Sequence, residues 1–155
     1  MATVLQEVEK VLEREGLKYT EDDNRLVVCF PAPEKECGIF VKEKGMMVLL
    51  LEESVSPGIV DFIMVTTIGP DKLPPLKVLA MNGGLFGPRI GVYAKGKEEE
   101  EKYLVKITVT LEALHSFGRG IIMTQVEILC SLVYVLCSMA KAEETKRLAD
   151  LSRNN

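Results

Sequence analysis

The sequence predicts an α+β fold in which a single antiparallel sheet has helices from both ends of the chain packed on it. Two observations predict this class. Short apolar runs recur through the middle of the chain, and apolar residues at helical spacing begin and end it. The predicted order of elements is α-β-β-β-(β)-α-β-β-α. Because no internal repeat or linker divides the chain, we expect residues 1–155 to form one domain.

The first helix is marked at both of its ends. Thr3 and Gln6 form a capping box, since each side chain can bond the other residue's backbone N–H. Gly16 supplies the left-handed position after the helix, and Leu17 is placed to pack back on its last turn. Apolar residues recur between these signals at helical spacing: Val4, Leu5, Val8, Val11 and Leu12.

The apolar runs that follow predict strands and one short helix. The predicted strands are Arg25–Phe30, Cys37–Lys44, Met46–Glu53, Ile59–Ile68, Ile90–Lys95 and Lys102–Thr110. The helix is expected over Pro74–Asn82, because its two prolines are tolerated only in a first turn. Lys102–Thr110 alternates apolar and polar residues, whereas Arg25–Phe30 is apolar on both faces. The latter pattern is typical of strands that are covered on both sides by helices, a second subunit or a ligand.

The last helix is predicted from Ile121 to about Leu151. Its polar residues form one narrow stripe: Thr124, Glu127, Ser131, Tyr134, Ser138, Lys141 and Thr145. The apolar arc that remains spans about 220°, more than the roughly 100° that one sheet covers. Ile121–Ala140 carries only one formal charge, Glu127. We interpret this helix as a buried core helix rather than a membrane span, because a glutamate in hydrocarbon is costly.

The charge balance argues against nucleic acid as a partner. Nineteen Lys and Arg against 23 Asp and Glu leave a net charge of −4, whereas phosphates require a basic face. The N-terminus lacks the basic and apolar regions of a secretory leader, so we expect a cytoplasmic protein with no membrane partner.

Few residues offer catalytic or ligand chemistry. The four cysteines have no metal-ligand spacing, and the glycine-rich Gly83–Gly87 matches no phosphate-binding pattern, so we predict no metal and no cofactor. His115 is the only histidine. We interpret it as a loop residue just past a strand. The alternative function is a small enzyme in which Cys29 or Cys37 reacts with the help of His115.

Four segments of the chain carry a resemblance to a known fold. They are Val11–Tyr19, the acidic turn Glu21–Asp23, Leu76–Asn82 leading into Gly91–Tyr93, and Leu111–Leu114. With the order of elements, they resemble the type III secretion chaperone-like fold and the related family of sensory-transduction regulators, whose members mostly lack an assigned activity. The resemblance implies a homodimer, and a non-enzymatic chaperone-like module that holds an extended stretch of another protein on apolar surface.

The resemblance places the dimer contact on the short helix and the strand after it. The residues it points to are Leu76, Leu79, Ile90 and Val92. The wide apolar arc of the last helix and the scarcity of charges over Ser54–Val92 are independent reasons to expect self-association.

The two cysteines that flank Pro33 lead to a prediction about the sheet. A hairpin centred on Pro33 makes Cys29 and Cys37 direct cross-strand neighbours, within reach of a disulfide. We expect both thiols to be reduced and packed. The same register predicts one sheet face of Leu26, Val28, Phe30 and Phe40. We expect this aromatic face to be the exposed partner-binding site for an extended polypeptide. The alternative is that a dimer partner or Ile59–Ile68 covers it.

Overall fold

The computed structural model describes residues 2–31, 46–94 and 101–154. In chain order its elements are α1 Val4–Arg14, β1 Tyr19–Asp22, β2 Arg25–Pro31, β3 Met46–Glu53, β4 Ile59–Val65, α2 Pro75–Asn82, β5 Arg89–Tyr93, β6 Lys102–Thr110, α3 Leu111–Phe117 and α4 Arg119–Arg153. The strands form one antiparallel sheet with the order β1-β2-β3-β4-β6-β5. The predicted α+β class, with a single antiparallel sheet and helices at both ends, is confirmed. The predicted strand Cys37–Lys44 lies outside the described residues.

Helix α1 has the ends that its sequence predicts. The Gln6 N–H donates to the Thr3 hydroxyl at 3.2 Å, and the Thr3 N–H donates to the Gln6 side chain at 2.8 Å. After the helix, Gly16 adopts a φ of 70° and the Leu17 N–H donates to the Leu12 carbonyl at 2.9 Å. These bonds satisfy backbone groups that a helix end would otherwise leave unpaired.

Strand β1 was not predicted. Tyr19–Asp22 pairs with Arg25–Val28 through a tight turn at Asp23, whose φ is 54°. The sequence predicts an acidic turn over Glu21–Asp23, because an exposed edge strand needs no apolar face and so shows no alternation. The observed turn shares only Asp23 with that prediction.

The two faces of the sheet have different surroundings. On one face, the side chains of all strands from β2 to β6 join those of the helices in a single hydrophobic core. Helix α1 packs over β2 and β3, α4 over β4 and β6, and α2 against β5. We call the opposite side the helix-free face, because no helix among the described residues contributes core side chains to it. It carries Val27 and Cys29 of β2, Val48 and Leu50 of β3, and Ile63 of β4.

Helix α4 presents the predicted polar stripe to solvent. Its exposed residues include Thr124, Glu127, Ser131, Tyr134, Ser138, Lys141 and Thr145, and its buried residues face the core. A stretch of α4 is long and apolar enough to cross a membrane, with 44% of its residues buried inside the fold. Most apolar residues of this arc are buried in the core, but Ile128 and Val135 are exposed to solvent.

Candidate functional site

The residues predicted to form an exposed binding face belong to the core. Leu26, Val28 and Phe30 are all buried and lie on the face that the helices cover. The prediction that this aromatic side is the exposed one is therefore wrong. The strand is apolar on both faces, so alternation defines two sets of side chains without indicating which set the helices cover. Phe40 lies outside the described residues.

Cys29 and His115 lie on opposite sides of the sheet. Cys29 is exposed on the helix-free face, opposite Val48 of β3. His115 belongs to helix α3 rather than to a loop, and its Nε2 lies 3.3 Å from Glu7 Oε2 of α1. The predicted dyad of Cys29 with His115 is wrong, because the sheet stands between the two side chains. Cys37, with its predicted place opposite Cys29, lies outside the described residues.

Three of the four residues predicted at a dimer contact are exposed together at one edge of the sheet. Leu76 and Leu79, one turn apart on α2, are 80% and 62% exposed, and Val92 of β5 is 51% exposed. Helix α2 contacts β5, which is an edge strand. We call Leu76, Leu79 and Val92 the edge patch. Phe86, in the loop between α2 and β5, is also fully exposed but gave no sequence signal of its own.

Ile90, the fourth residue of that prediction, is not part of the surface. Its side chain is only 7% exposed and belongs to the core. Its N–H donates to Asn82 Oδ1 and its carbonyl accepts from Asn82 Nδ2, both at 2.8 Å. The Asn82 side chain thus occupies the outer edge of β5 at Ile90, where a further strand would otherwise pair. Placing Ile90 at the dimer contact was wrong, because alternation directs its side chain toward the core.

The helix-free face carries a polar row beside an apolar row. Across neighbouring strands the register aligns Arg25, Glu52, Asp61 and Thr108, in that order. Two residues further along each strand, the register aligns Val27, Leu50 and Ile63 with Lys106. The sequence did not indicate this arrangement, because it depends on the pairing of four strands that are distant in the chain.

One cavity brings together residues from distant parts of the sheet. It has a volume of about 720 Å³, and its lining includes Arg25 of β2, Glu52 of β3, Tyr93 of β5 and Leu5 of α1. The pKa of Arg25 is raised, chiefly by its interaction with the Tyr93 side chain. Four strand spacings separate β2 from β5 in the sheet order, which is about 19 Å across a flat sheet before any offset along the strands is added. The sheet is therefore twisted and curled rather than flat.

Asp61 is the most unusual polar residue of the helix-free face. It is 8% exposed, and its Oδ1 has no hydrogen-bond partner among the described residues. Lys106 Nζ lies 3.9 Å from Oδ2, which is longer than a hydrogen bond. Among the described residues no group of three or more His, Cys, Asp or Glu side chains is placed to hold a metal ion.

Comparison with known proteins relates the chain to one solved fold. No family model matches the sequence, and no curated protein matches it. The structure is similar to that of YbjN from E. coli, a protein provisionally described as a transcription regulator, with a TM-score of 0.58. The match covers 91% of this chain and 97% of YbjN at 14% sequence identity. At that identity the match shows that the two chains share a fold, and the neighbour's description applies to the neighbour alone.

Proposed function

We propose that the protein is a non-enzymatic binding module that forms a homodimer through the edge patch and binds an extended segment of another protein. The observation that carries the dimer is the exposure of Leu76, Leu79 and Val92 on adjoining elements of one edge. Single exposed apolar residues are common on protein surfaces. Several on adjoining elements are typical of an interface.

The edge of β5 limits the kind of dimer that forms. Asn82 already satisfies both outward backbone groups of Ile90, so a continuous intermolecular sheet cannot begin there. We therefore expect the two copies to meet through side chains of α2 and Val92. A symmetric contact places α2 of one copy beside α2 of the other, which buries Leu76 and Leu79 in both.

Light scattering after size-exclusion chromatography tests the dimer. We expect a particle of twice the 17.2 kDa chain mass at micromolar concentration. The double variant Leu76→Asp/Leu79→Asp should be monomeric, because it buries two carboxylates in the contact. Phe117→Asp is the matched control, since Phe117 is an exposed apolar residue on α3, which packs on α1. A monomeric wild type, or a double variant that stays dimeric, would contradict the proposal.

The binding of an extended polypeptide is supported by the helix-free face. Cys29 and Val48 are exposed there, and Val27, Leu50 and Leu104 are partly exposed. Apolar positions along a sheet face can take alternate side chains of an extended chain. The separation of Cys29 from His115 favours a binding role over the alternative of a cysteine enzyme.

A further inference from the structure

Two carboxylates face one another on the helix-free face. Glu52 of β3 and Asp61 of β4 are direct cross-strand partners. Like charges directly opposite one another on a sheet are destabilising, since their side chains begin only about 5 Å apart. An arrangement of this kind is favourable when a cation lies between the two groups.

The cations of the described residues do not fill that position. Arg25 Nη1 is 3.8 Å from Glu52 Oε1, and Nε of the same guanidinium is 3.4 Å from Asp22 Oδ2. Lys106 Nζ stands 3.9 Å from Asp61 Oδ2. Neither the distance to Glu52 nor the distance to Asp61 is that of a hydrogen bond. Within the described part of the chain, a carboxylate as buried as Asp61, with Oδ1 unpartnered, therefore lacks the donor that buried acids normally have.

The surroundings indicate what kind of cation fits. Val27, Leu50 and Ile63 run across the face beside the two acids, and Ile63 is buried although it lies outside the main core. Two carboxylates alone are too few for a metal ion, which needs more oxygen ligands. An organic cation on an apolar stem matches both the acids and the apolar row.

We propose that the Glu52–Asp61 pair binds the basic side chain of an extended, otherwise apolar polypeptide that lies on the helix-free face. This inference rests on the proposed polypeptide-binding function. It adds the acidic pair that selects a polypeptide with a basic side chain. The ammonium or guanidinium group donates to Asp61 and lies against Glu52, while neighbouring apolar residues of the peptide contact Val27 and Leu50. Lys106, whose side chain is 41% exposed, turns aside to admit it.

An array of blocked, fluorescein-labelled heptapeptides tests this selection. The peptides vary in their flanking apolar residues and carry lysine, arginine, norleucine or glutamate at the centre. We expect wild-type protein to bind the lysine and arginine peptides about tenfold more tightly than their norleucine counterparts. Asp61→Asn should reduce this preference to less than about twofold while its Tm stays at or above the wild-type value.

Glu112→Gln is the matched control, because it removes an exposed acid on helix α3. This variant should keep the wild-type preference. Equal binding of lysine and norleucine peptides by the wild type overturns the inference and leaves polypeptide binding intact, and this comparison needs no variant to fold. Absence of binding by every peptide overturns both. An unchanged preference in Asp61→Asn also overturns the inference.

Discussion

At the scale of single residues, Gly118 controls the change of direction between α3 and α4. Its backbone, at φ 52° and ψ −124°, is a conformation that residues with a Cβ adopt only with strain. An added Cβ would also meet the carboxylate of Glu15 on α1. We expect Gly118→Ala to lower the free energy of unfolding by about 2 kcal/mol, measured by urea denaturation.

Gly120, two residues further on, provides the comparison. A Cβ there would meet no atom within 4 Å, and the residue lies in the first turn of α4. Gly120→Ala should therefore raise the free energy of unfolding by about 0.5 kcal/mol, since alanine favours a helix over glycine. Equal effects of the two substitutions would show that the backbone at Gly118 is not special.

Tyr19 provides a prediction about pH. Its hydroxyl donates to Glu13 Oε1 at 2.8 Å, and this bond is the main reason that the pKa of Tyr19 is raised to about 12. Because the folded pKa exceeds the unfolded value, the stability from this contact is present below pH 10 and is lost as pH rises through 12. Ultraviolet titration of the phenol should show the raised pKa, and Glu13→Gln should lower it. A pKa near 10 in the wild type would contradict the bond.

At the scale of elements, Asn82 joins helix α2 to strand β5. Its side chain makes two hydrogen bonds with the backbone of Ile90. Asn82→Ala should lower the free energy of unfolding by about 2 kcal/mol, because it removes both bonds from a partly buried site. Hydrogen exchange of the Ile90 amide should accelerate in the same variant.

Asn82→Asp separates the two bonds. The aspartate can still accept from the Ile90 N–H but has no donor for the carbonyl, so we expect an intermediate loss of stability. If the hydrogen-exchange rate of the Ile90 amide is unchanged in Asn82→Ala, pairing with β6 alone stabilises β5.

At the scale of the whole molecule, the orientation of the sheet decides which apolar residues are core. Phe30→Ser should lower the free energy of unfolding by about 3–5 kcal/mol, because Phe30 is buried under the helices. Its sequence neighbour Cys29 points to the helix-free face and is exposed, so Cys29→Ser should have little effect. Thermal unfolding measures both. A small loss of stability in Phe30→Ser would contradict the burial of Phe30 and support an exposed aromatic face.

Elements with a strong local signal, either periodic spacing or a continuous apolar run, were predictable from the sequence. The ends of α1, the strands Met46–Glu53 and Lys102–Thr110, and the exposed stripe of α4 all appear as their residues indicate. Each of these is a local property, because capping groups, glycines and apolar spacing act within a few residues. Strand β1 and helix α3 were missed, since a short exposed strand and a seven-residue helix carry little pattern.

The sequence by itself determined the α+β class and the residues that alternate on each strand. It also identified all three residues of the edge patch. Only the tertiary structure decided which face the helices cover, and it placed Phe30 inside and Cys29 outside. It alone brought Glu52 opposite Asp61, and placed Arg25 and Tyr93 in the lining of one cavity. The physical reason is that alternation is a property of one strand, whereas register, curl and the choice of buried face depend on contacts between distant segments.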